Sequence, residues 1–190
     1  MGNGDDQHPP ALLSLSAVYA LPVGSGSHYL NHTPVLSQAI GHWKVSTVAQ
    51  FQKGYPYFIS QTNQLGIFSG AQYATLVGDP NLPRKSRTVQ QWFNPAAFAI
   101  TPADTLGNVP RAALYGPGQN VWDLSLMRDV PLHDRIKLTF RVDAHNAFNH
   151  PQFSGLNTTL NTTNLANHTF GMVTGAQDPR QLLLVGRLTF

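Results

Sequence analysis

From Ile136 to His145 the chain alternates without a break: Ile136, Leu138, Phe140, Val142 and Ala144 are apolar, and Lys137, Thr139, Arg141, Asp143 and His145 are polar. Side chains repeating with period two point to opposite faces of a β-strand, so this segment predicts a strand with one apolar and one strongly polar face. Such a strand suits a half-buried sheet in water, and equally a barrel wall with lipid outside and water inside. Alternation by itself does not separate the two.

Four further segments carry the pattern less perfectly. Leu13, Leu15, Ala17, Tyr19 and Leu21 alternate with Ser14, Ser16, Val18 and Ala20. Trp43, Val45, Ala49 and Phe51 alternate with His42, Lys44, Ser46, Gln50 and Gln52, and Thr47 and Val48 weaken the contrast. Trp122, Leu124 and Leu126 oppose Asp123 and Ser125, and Leu182, Leu184, Gly186, Leu188 and Phe190 oppose Arg187 and Thr189. These patterns predict antiparallel strands near residues 11–22, 42–58, 120–130, 135–148 and 181–190, with sequential neighbours paired. Roughly 9 to 11 residues is the length a tilted membrane strand requires.

The connectors differ in size. Pro131 to Asp134 reads as a tight turn, whereas residues 60–118 and 149–180 far exceed a hairpin loop of about 2 to 5 residues. If direction reverses at every strand, the tight turn lies on one side and both long loops on the other. That is the asymmetry of outer-membrane barrels, with short periplasmic turns and long extracellular loops. The connector from Pro22 to Gly41 runs against it, being long on the presumed periplasmic side.

Composition sharpens the picture. Charged residues make up 11% of the chain, against about a quarter in an average soluble domain, while 16 Gly and 14 Pro supply turns. The net charge is +3, and the basic residues are scattered except at Arg84, Lys85 and Arg87, so there is no nucleic-acid footprint. With no cysteine there is neither a disulfide framework nor a thiolate metal site. No apolar run approaches the roughly 20 residues of a membrane helix. Residues 1–10, MGNGDDQHPP, lack the basic and apolar regions of a signal peptide and read as a disordered or loop start.

Catalytic and cofactor chemistry finds little support. Eight His are present, and His145 with His150 is the closest pair in the strand-and-loop region, but no HExxH or Cys/His spacing accompanies them. Ser, His and Asp occur without a GxSxG elbow, and Gly24, Gly26 and His28 satisfy neither phosphate-loop pattern. No catalytic residue, cofactor or metal is therefore expected, and the chain does not read as an enzyme. Asn157-Thr158-Thr159 and Asn161-Thr162-Thr163 form sequons, relevant only in a glycosylating host. Tyr19, Trp43, Trp122 and Phe190 lie near strand ends, where interfacial girdles place aromatics, although aromatics also fill soluble cores.

The order of motifs resembles the C-terminal barrel of TonB-dependent outer-membrane receptors, in the subgroup carrying an N-terminal carboxypeptidase-regulatory-like domain. The matching stretches are AVYALPVG (17–24), GHWKVSTVAQFQKGYP (41–56), GDPNLP (78–83), WFNPAAFA (92–99) and GNVPRAALYGPG (107–118). They continue with NVWDLSL (120–126), LTFRVDAHNAFNHPQF (138–153) and the ending LLLVGRLTF. Together they span nearly the whole chain after its first ten residues.

The resemblance implies an all-β fold: antiparallel strands of a transmembrane β-barrel, here a partial barrel of about five long strands out of roughly twenty-two, with 60–118 and 149–180 as long extracellular loops. It places Lys137, Thr139, Arg141, Asp143 and His145 toward the lumen, and Ile136, Leu138, Phe140 and Val142 toward lipid. Leu184, Leu188 and Phe190 are candidates for a C-terminal signal to the barrel-assembly machinery.

The implied activity is energised uptake of an extracellular solute of the siderophore or oligosaccharide class. The implied partners are outer-membrane lipid, the remainder of the barrel and its plug, the assembly machinery, and a TonB-type energising protein. Signal peptide, plug and energising segment are missing from the sequence, which then reads as a fragment or truncated product. Two other readings stay open: a non-transporting adhesive or structural surface barrel, and a soluble β-sandwich binding module.

On the barrel reading, this chain expressed alone has open sheet edges and a lipid face exposed to water. It should aggregate without detergent. Size-exclusion chromatography with light scattering, with and without detergent, checks this; a detergent-free monodisperse monomer would support the soluble module instead.

Overall fold

The alternating segments form long strands in the computed structural model, which describes residues 11–23, 29, 41–63, 72–133 and 136–190. In chain order the strands are β1 (Leu12–Ala20), β2 (Trp43–Gln52), β3 (Pro56–Tyr57), β4 (Ser60–Gln61), β5 (Gln72–Tyr73), β6 (Thr75–Leu76), β7 (Phe98–Ala99) and β8 (Leu114–Tyr115). They continue with β9 (Gln119–His133), β10 (Ile136–His145), β11 (Phe153–Leu156), β12 (Thr159–Leu160), β13 (Val173–Ala176) and β14 (Gln181–Thr189). One short helix, α1 (Thr162–Ala166), and two 3-10 turns, Arg84–Ser86 and Pro95–Ala97, complete the set. The predicted start at residues 1–10, the glycines at 24 and 26 with His28, and most of the connector from Pro22 to Gly41 lie outside the described residues.

The five long strands make one sheet in the order β1-β2-β9-β10-β14, so strands that follow one another along the wall are neighbours. Strand β10 pairs antiparallel with both β9 and β14, from Leu138 opposite Val130 and Leu188 to Ala144 opposite Leu124 and Leu182. At the other edge, Leu21 donates to the Trp43 carbonyl and Lys53 to the Ala11 carbonyl. The two bonds lie ten residues apart on each strand (21 − 11 and 53 − 43), which fixes an antiparallel register without a bulge between them. The β2–β9 seam is antiparallel too: Phe51 packs on Trp122 near one end, and Arg128 lies over Trp43 near the other.

Three predicted boundaries need correction. The second strand leaves the sheet at Gln52 instead of continuing to residue 58. There Gly54 packs so closely on the Gly116 carbonyl that a Cβ would collide with it, and Tyr55 accepts from Gly116 N–H. Strand β10 stops at His145 because Asn146 takes a left-handed conformation, φ 47°. Strand β9 runs on to His133, so Pro131–His133 of the predicted turn at Pro131–Asp134 is strand, and Asp134 lies outside the described residues. A register shift between Ile136 and Lys137 puts Pro131 beside a bulge, where its missing N–H is tolerated.

Because directly opposed residues share a face, one continuous apolar surface runs across the sheet. It carries Leu13, Leu15, Ala17, Tyr19 and Leu21; Trp43, Val45 and Phe51; Trp122, Leu124, Leu126 and Val130; Leu138, Phe140, Val142 and Ala144; and Leu182, Leu184 and Leu188. Many of these are open to the surroundings, Leu184 by 76% and Phe140 by 48%. A patch spanning five strands far exceeds what soluble monomers expose.

The second compact unit consists mainly of Gln52–Gln119 with Gln152–Gln177, the two long inter-strand segments. They hold small sheets, β3–β8, β6–β7, β11–β13 and β12-β4-β5, in which the β12–β4 contact is parallel. Their shared core is Ile59, Phe93, Phe98, Leu114, Leu156, Leu160, Phe170 and Val173 with smaller residues. Phe93, Phe98 and Phe170 contact one another edge to face, with centroids 5.1–5.8 Å apart. Phe93 and Phe98 come from one segment and Phe170 from the other, so neither segment can bury this cluster alone.

Placing a cation on the apolar face of the wall should be costly. The variant Phe140→Arg is expected to lose about 2–4 kcal/mol of folding free energy if this site lies at the bilayer midplane. Denaturant titration in bilayers checks this, and an unchanged free energy would mean that Phe140 does not face lipid.

Candidate functional site

The face opposite the apolar surface carries the charged residues of β9 and β10. Lys137, Thr139, Arg141, Asp143 and His145 lie on it together, and the register sets Thr139 opposite Asp129 and Asp143 opposite Ser125. Thr139 Oγ1 donates to Asp129 Oδ1 at 2.7 Å, and Lys137 Nζ is 3.8 Å from the other oxygen of that carboxylate. Arg141 Nε donates to Asp143 Oδ1 at 2.7 Å, and Ser125 hydrogen-bonds the same carboxylate. His145 Nδ1 lies 3.6 Å from Asp123 Oδ2.

Lys137, Arg141 and His145 thus each stand beside a carboxylate. Exposed pairs of this kind contribute about 0–1 kcal/mol each, so their effect is mainly to hold a neutralised, hydrated surface. Among the described residues no group of three or more His, Cys, Asp or Glu is placed to hold a metal ion.

The apolar candidates fall on the other face. Leu138, Phe140 and Val142 oppose Leu188, Gly186 and Leu184, and Ile136 stands at the start of β10 beside the register shift. Phe190 follows the last strand and is 93% exposed. The strand-end aromatics sort into two bands. Tyr19, Trp43 and Phe190 lie at the end of the sheet where β9 turns into β10. Trp122 lies at the opposite end, where it packs edge-on against Phe51 and Phe148. Trp43 and Phe51 are separated by roughly 26 Å of strand at about 3.3 Å per residue, which tilt reduces toward the height of an apolar membrane band.

Two features went unread in the sequence. Arg128 sits on the apolar face opposite Phe140, with its guanidinium carbon 5.5 Å from the centre of the Trp43 ring. This stacking lets a charge lie along an aromatic near the interface, as long cationic side chains do. The second is the clasp after β10. Asn146 N–H donates to Asp123 Oδ1 at 3.0 Å, its Nδ2 donates to the His150 carbonyl at 3.0 Å, and its Oδ1 accepts from His150 N–H at 3.1 Å. Asn149, also left-handed at φ 51°, accepts from Arg180 N–H at 3.0 Å. A signal existed: two Asn three apart at a strand end, ahead of Pro151, are the residues that best tolerate this conformation.

Within the loop unit, Gln61 and Gln72 are buried amides that clasp a neighbouring segment. Gln61 accepts from Thr101 N–H at 2.7 Å and donates to its carbonyl at 2.9 Å, while Gln72 donates to the Thr105 carbonyl at 2.6 Å. Gln61 also donates to Gln72 Oε1 at 3.1 Å. Buried amides satisfied in this way fix one arrangement of a loop, since any other leaves them unpaired.

An open antiparallel wall, apolar on one face and charge-paired on the other, and aromatic near both ends, has the surface chemistry of an outer-membrane barrel. A family model described as an outer membrane beta barrel domain matches residues 4–182. The chain belongs to that family and is a protein of the bacterial outer membrane. No curated protein and no solved structure matches it.

Asn146→Ala removes the amide and forces Ala into the left-handed region, at about 1–2 kcal/mol for the backbone and about 1–3 kcal/mol for the lost bonds. Asn146→Gly should incur only the second loss. Hydrogen exchange of the amides at 146–150 and 178–180 should rise more for Ala than for Gly, and equal protection in both variants and the parent would contradict the clasp.

Proposed function

We propose that the chain forms part of the barrel wall and ligand-facing loops of a TonB-dependent receptor that takes up an extracellular solute. The solute class is siderophore or oligosaccharide, and the role is binding and passage, with no bond in the solute made or broken. The observation that carries this reading is the common core of the two long inter-strand segments, Phe93 and Phe98 from one and Phe170 from the other. Loops whose only task is to link strands need no buried core, whereas recognition gains from loops already ordered before the ligand arrives. The motif order described above supplies the receptor class.

In this reading the polar ladder from Lys137 to His145 lines the lumen, beside a plug contributed by the rest of the receptor. The edges of β1 and β14 pair with the remaining wall, the apolar face contacts lipid, and the ending with Leu184, Leu188 and Phe190 addresses the assembly machinery. A TonB-type protein drives passage. The continuous exposed apolar face weighs against a soluble binding module.

The test is a chromosomal deletion complemented by the parent gene or by its Phe93→Ala variant. Uptake of labelled ferric siderophores and of oligosaccharides is followed with and without a protonophore. Energised uptake of one class should vanish in the deletion strain and under protonophore, and fall in Phe93→Ala while the protein still reaches the outer membrane. Loss of surface attachment with no effect on any uptake would replace transport by adhesion.

A further inference from the structure

Basic side chains stand in two kinds of surroundings. On the sheet, Lys137, Arg141 and His145 each have a carboxylate beside them. The two long inter-strand segments, Gln52–Gln119 and Gln152–Gln177, carry Lys53, Arg84, Lys85, Arg87 and Arg111 against Asp79 and Asp104. Three of the five fall within four residues, and among the described residues none of Arg84, Lys85 and Arg87 joins an ion pair. Asp79, the nearest carboxylate in sequence, is engaged by the backbone and side chain of Asn81.

This cluster is displayed on a fixed frame. Pro83 leads into the 3-10 turn Arg84–Ser86, closed by Ser86 N–H donating to the Pro83 carbonyl at 2.8 Å. Arg87 Nε donates to the Leu82 carbonyl at 3.1 Å, and its guanidinium carbon lies 5.7 Å from the centre of the Trp92 ring. Trp92 is held by its backbone N–H to the Gly171 carbonyl at 2.9 Å and by Nε1 to the Tyr115 carbonyl at 3.3 Å. Thr88 and Gln91 close the intervening turn with reciprocal backbone bonds. Arg84 and Lys85 remain exposed beside the anchored Arg87.

Three like charges held this close repel one another within a Debye length of about 8 Å, and among the described residues no carboxylate forms an ion pair with them. Guanidinium groups on a preordered frame match the forked oxygens of carboxylate and phosphate. We propose that Arg84, Lys85 and Arg87 form a binding site for a soluble solute bearing clustered carboxylates or phosphates. This rests on the receptor reading and narrows it: the captured solute is a polyanion, not a neutral oligosaccharide.

The test uses outer-membrane vesicles from cells carrying the gene at its own locus, as parent, as the triple variant Arg84→Gln, Lys85→Gln, Arg87→Gln, and as the charge-keeping Arg84→Lys, Lys85→Arg, Arg87→Lys. The probes are citrate and inositol hexakisphosphate, with maltoheptaose as the neutral control, and heat-modifiable mobility on gels verifies folding. The parent should bind at least one anionic probe saturably, more weakly at high salt and unaffected by maltoheptaose. The Gln variant should lose about tenfold or more in affinity and the charge-keeping variant much less.

Absence of saturable binding to the parent, or equal binding by the Gln variant, would overturn the site. So would a difference seen only as lipopolysaccharide phosphate co-purifying with the parent while neither probe binds. If the Gln variant loses probe binding while energised uptake is absent in every strain, the site stands and the receptor reading fails. If uptake persists unchanged in the Gln variant, the receptor reading stands and the site fails.

Discussion

An unpaired backbone N–H or C=O in hydrocarbon costs several kcal/mol, so a chain crossing the membrane as strands must pair every backbone group with a neighbouring strand. That requirement organises the wall of this protein. Once the register of β10 with β9 and β14 is set, every second side chain is committed to the apolar or to the polar face, and slipping by one residue would exchange the two faces entirely. Phe140 would then join the charged face and Arg141 the apolar one. The strict alternation from Ile136 to His145 removes that choice, which makes β10 the strand whose placement fixes its neighbours.

The polar face answers a weaker constraint. Here charges lie beside water, so pairing Arg141 with Asp143, or Lys137 with Asp129, contributes little to stability. It does remove strong local fields from the surface. The loop unit shows the reverse arrangement, with an apolar core to hold it and a cationic surface cluster left uncompensated. The paired ladder of β10 and the unpaired cluster of the loop segments thus present charge to water in different ways.

Burial in the loop unit depends on partners distant in sequence. Phe170 lies more than seventy residues beyond Phe98, yet the rings meet at 5.8 Å. The parallel contact of β12 with β4 joins Thr159 to Ser60 across a longer interval, 99 residues (159 − 60). Neither segment shows extended alternation, because strands of two residues are too short to have a period. Their order comes instead from turn residues, from buried amides such as Gln61 and Gln72, and from glycines that admit close backbone approach, as Gly107 does against the Tyr73 and Ala74 carbonyls.

The long strands were legible in the sequence because period two is a local property: a residue's face follows from its neighbour's. All five occur where alternation predicts them, although the second ends at Gln52, six residues short of its predicted end at 58, and Lys137, Thr139, Arg141, Asp143 and His145 alternate onto one face of β10. Where strands end was less legible, since Gln52 and His145 end theirs through Gly54 meeting Gly116 and through the left-handed turn at Asn146. The stacking of Arg128 on Trp43 and the joint core of Phe93, Phe98 and Phe170 could not be read at all. They exist only when segments far apart in the chain are brought side by side, and single-chain periodicity carries no information about which distant segment that will be. Alternation and strand length thus determined the wall, whereas tertiary structure alone decided that the long loops would become an ordered body presenting Arg84, Lys85 and Arg87.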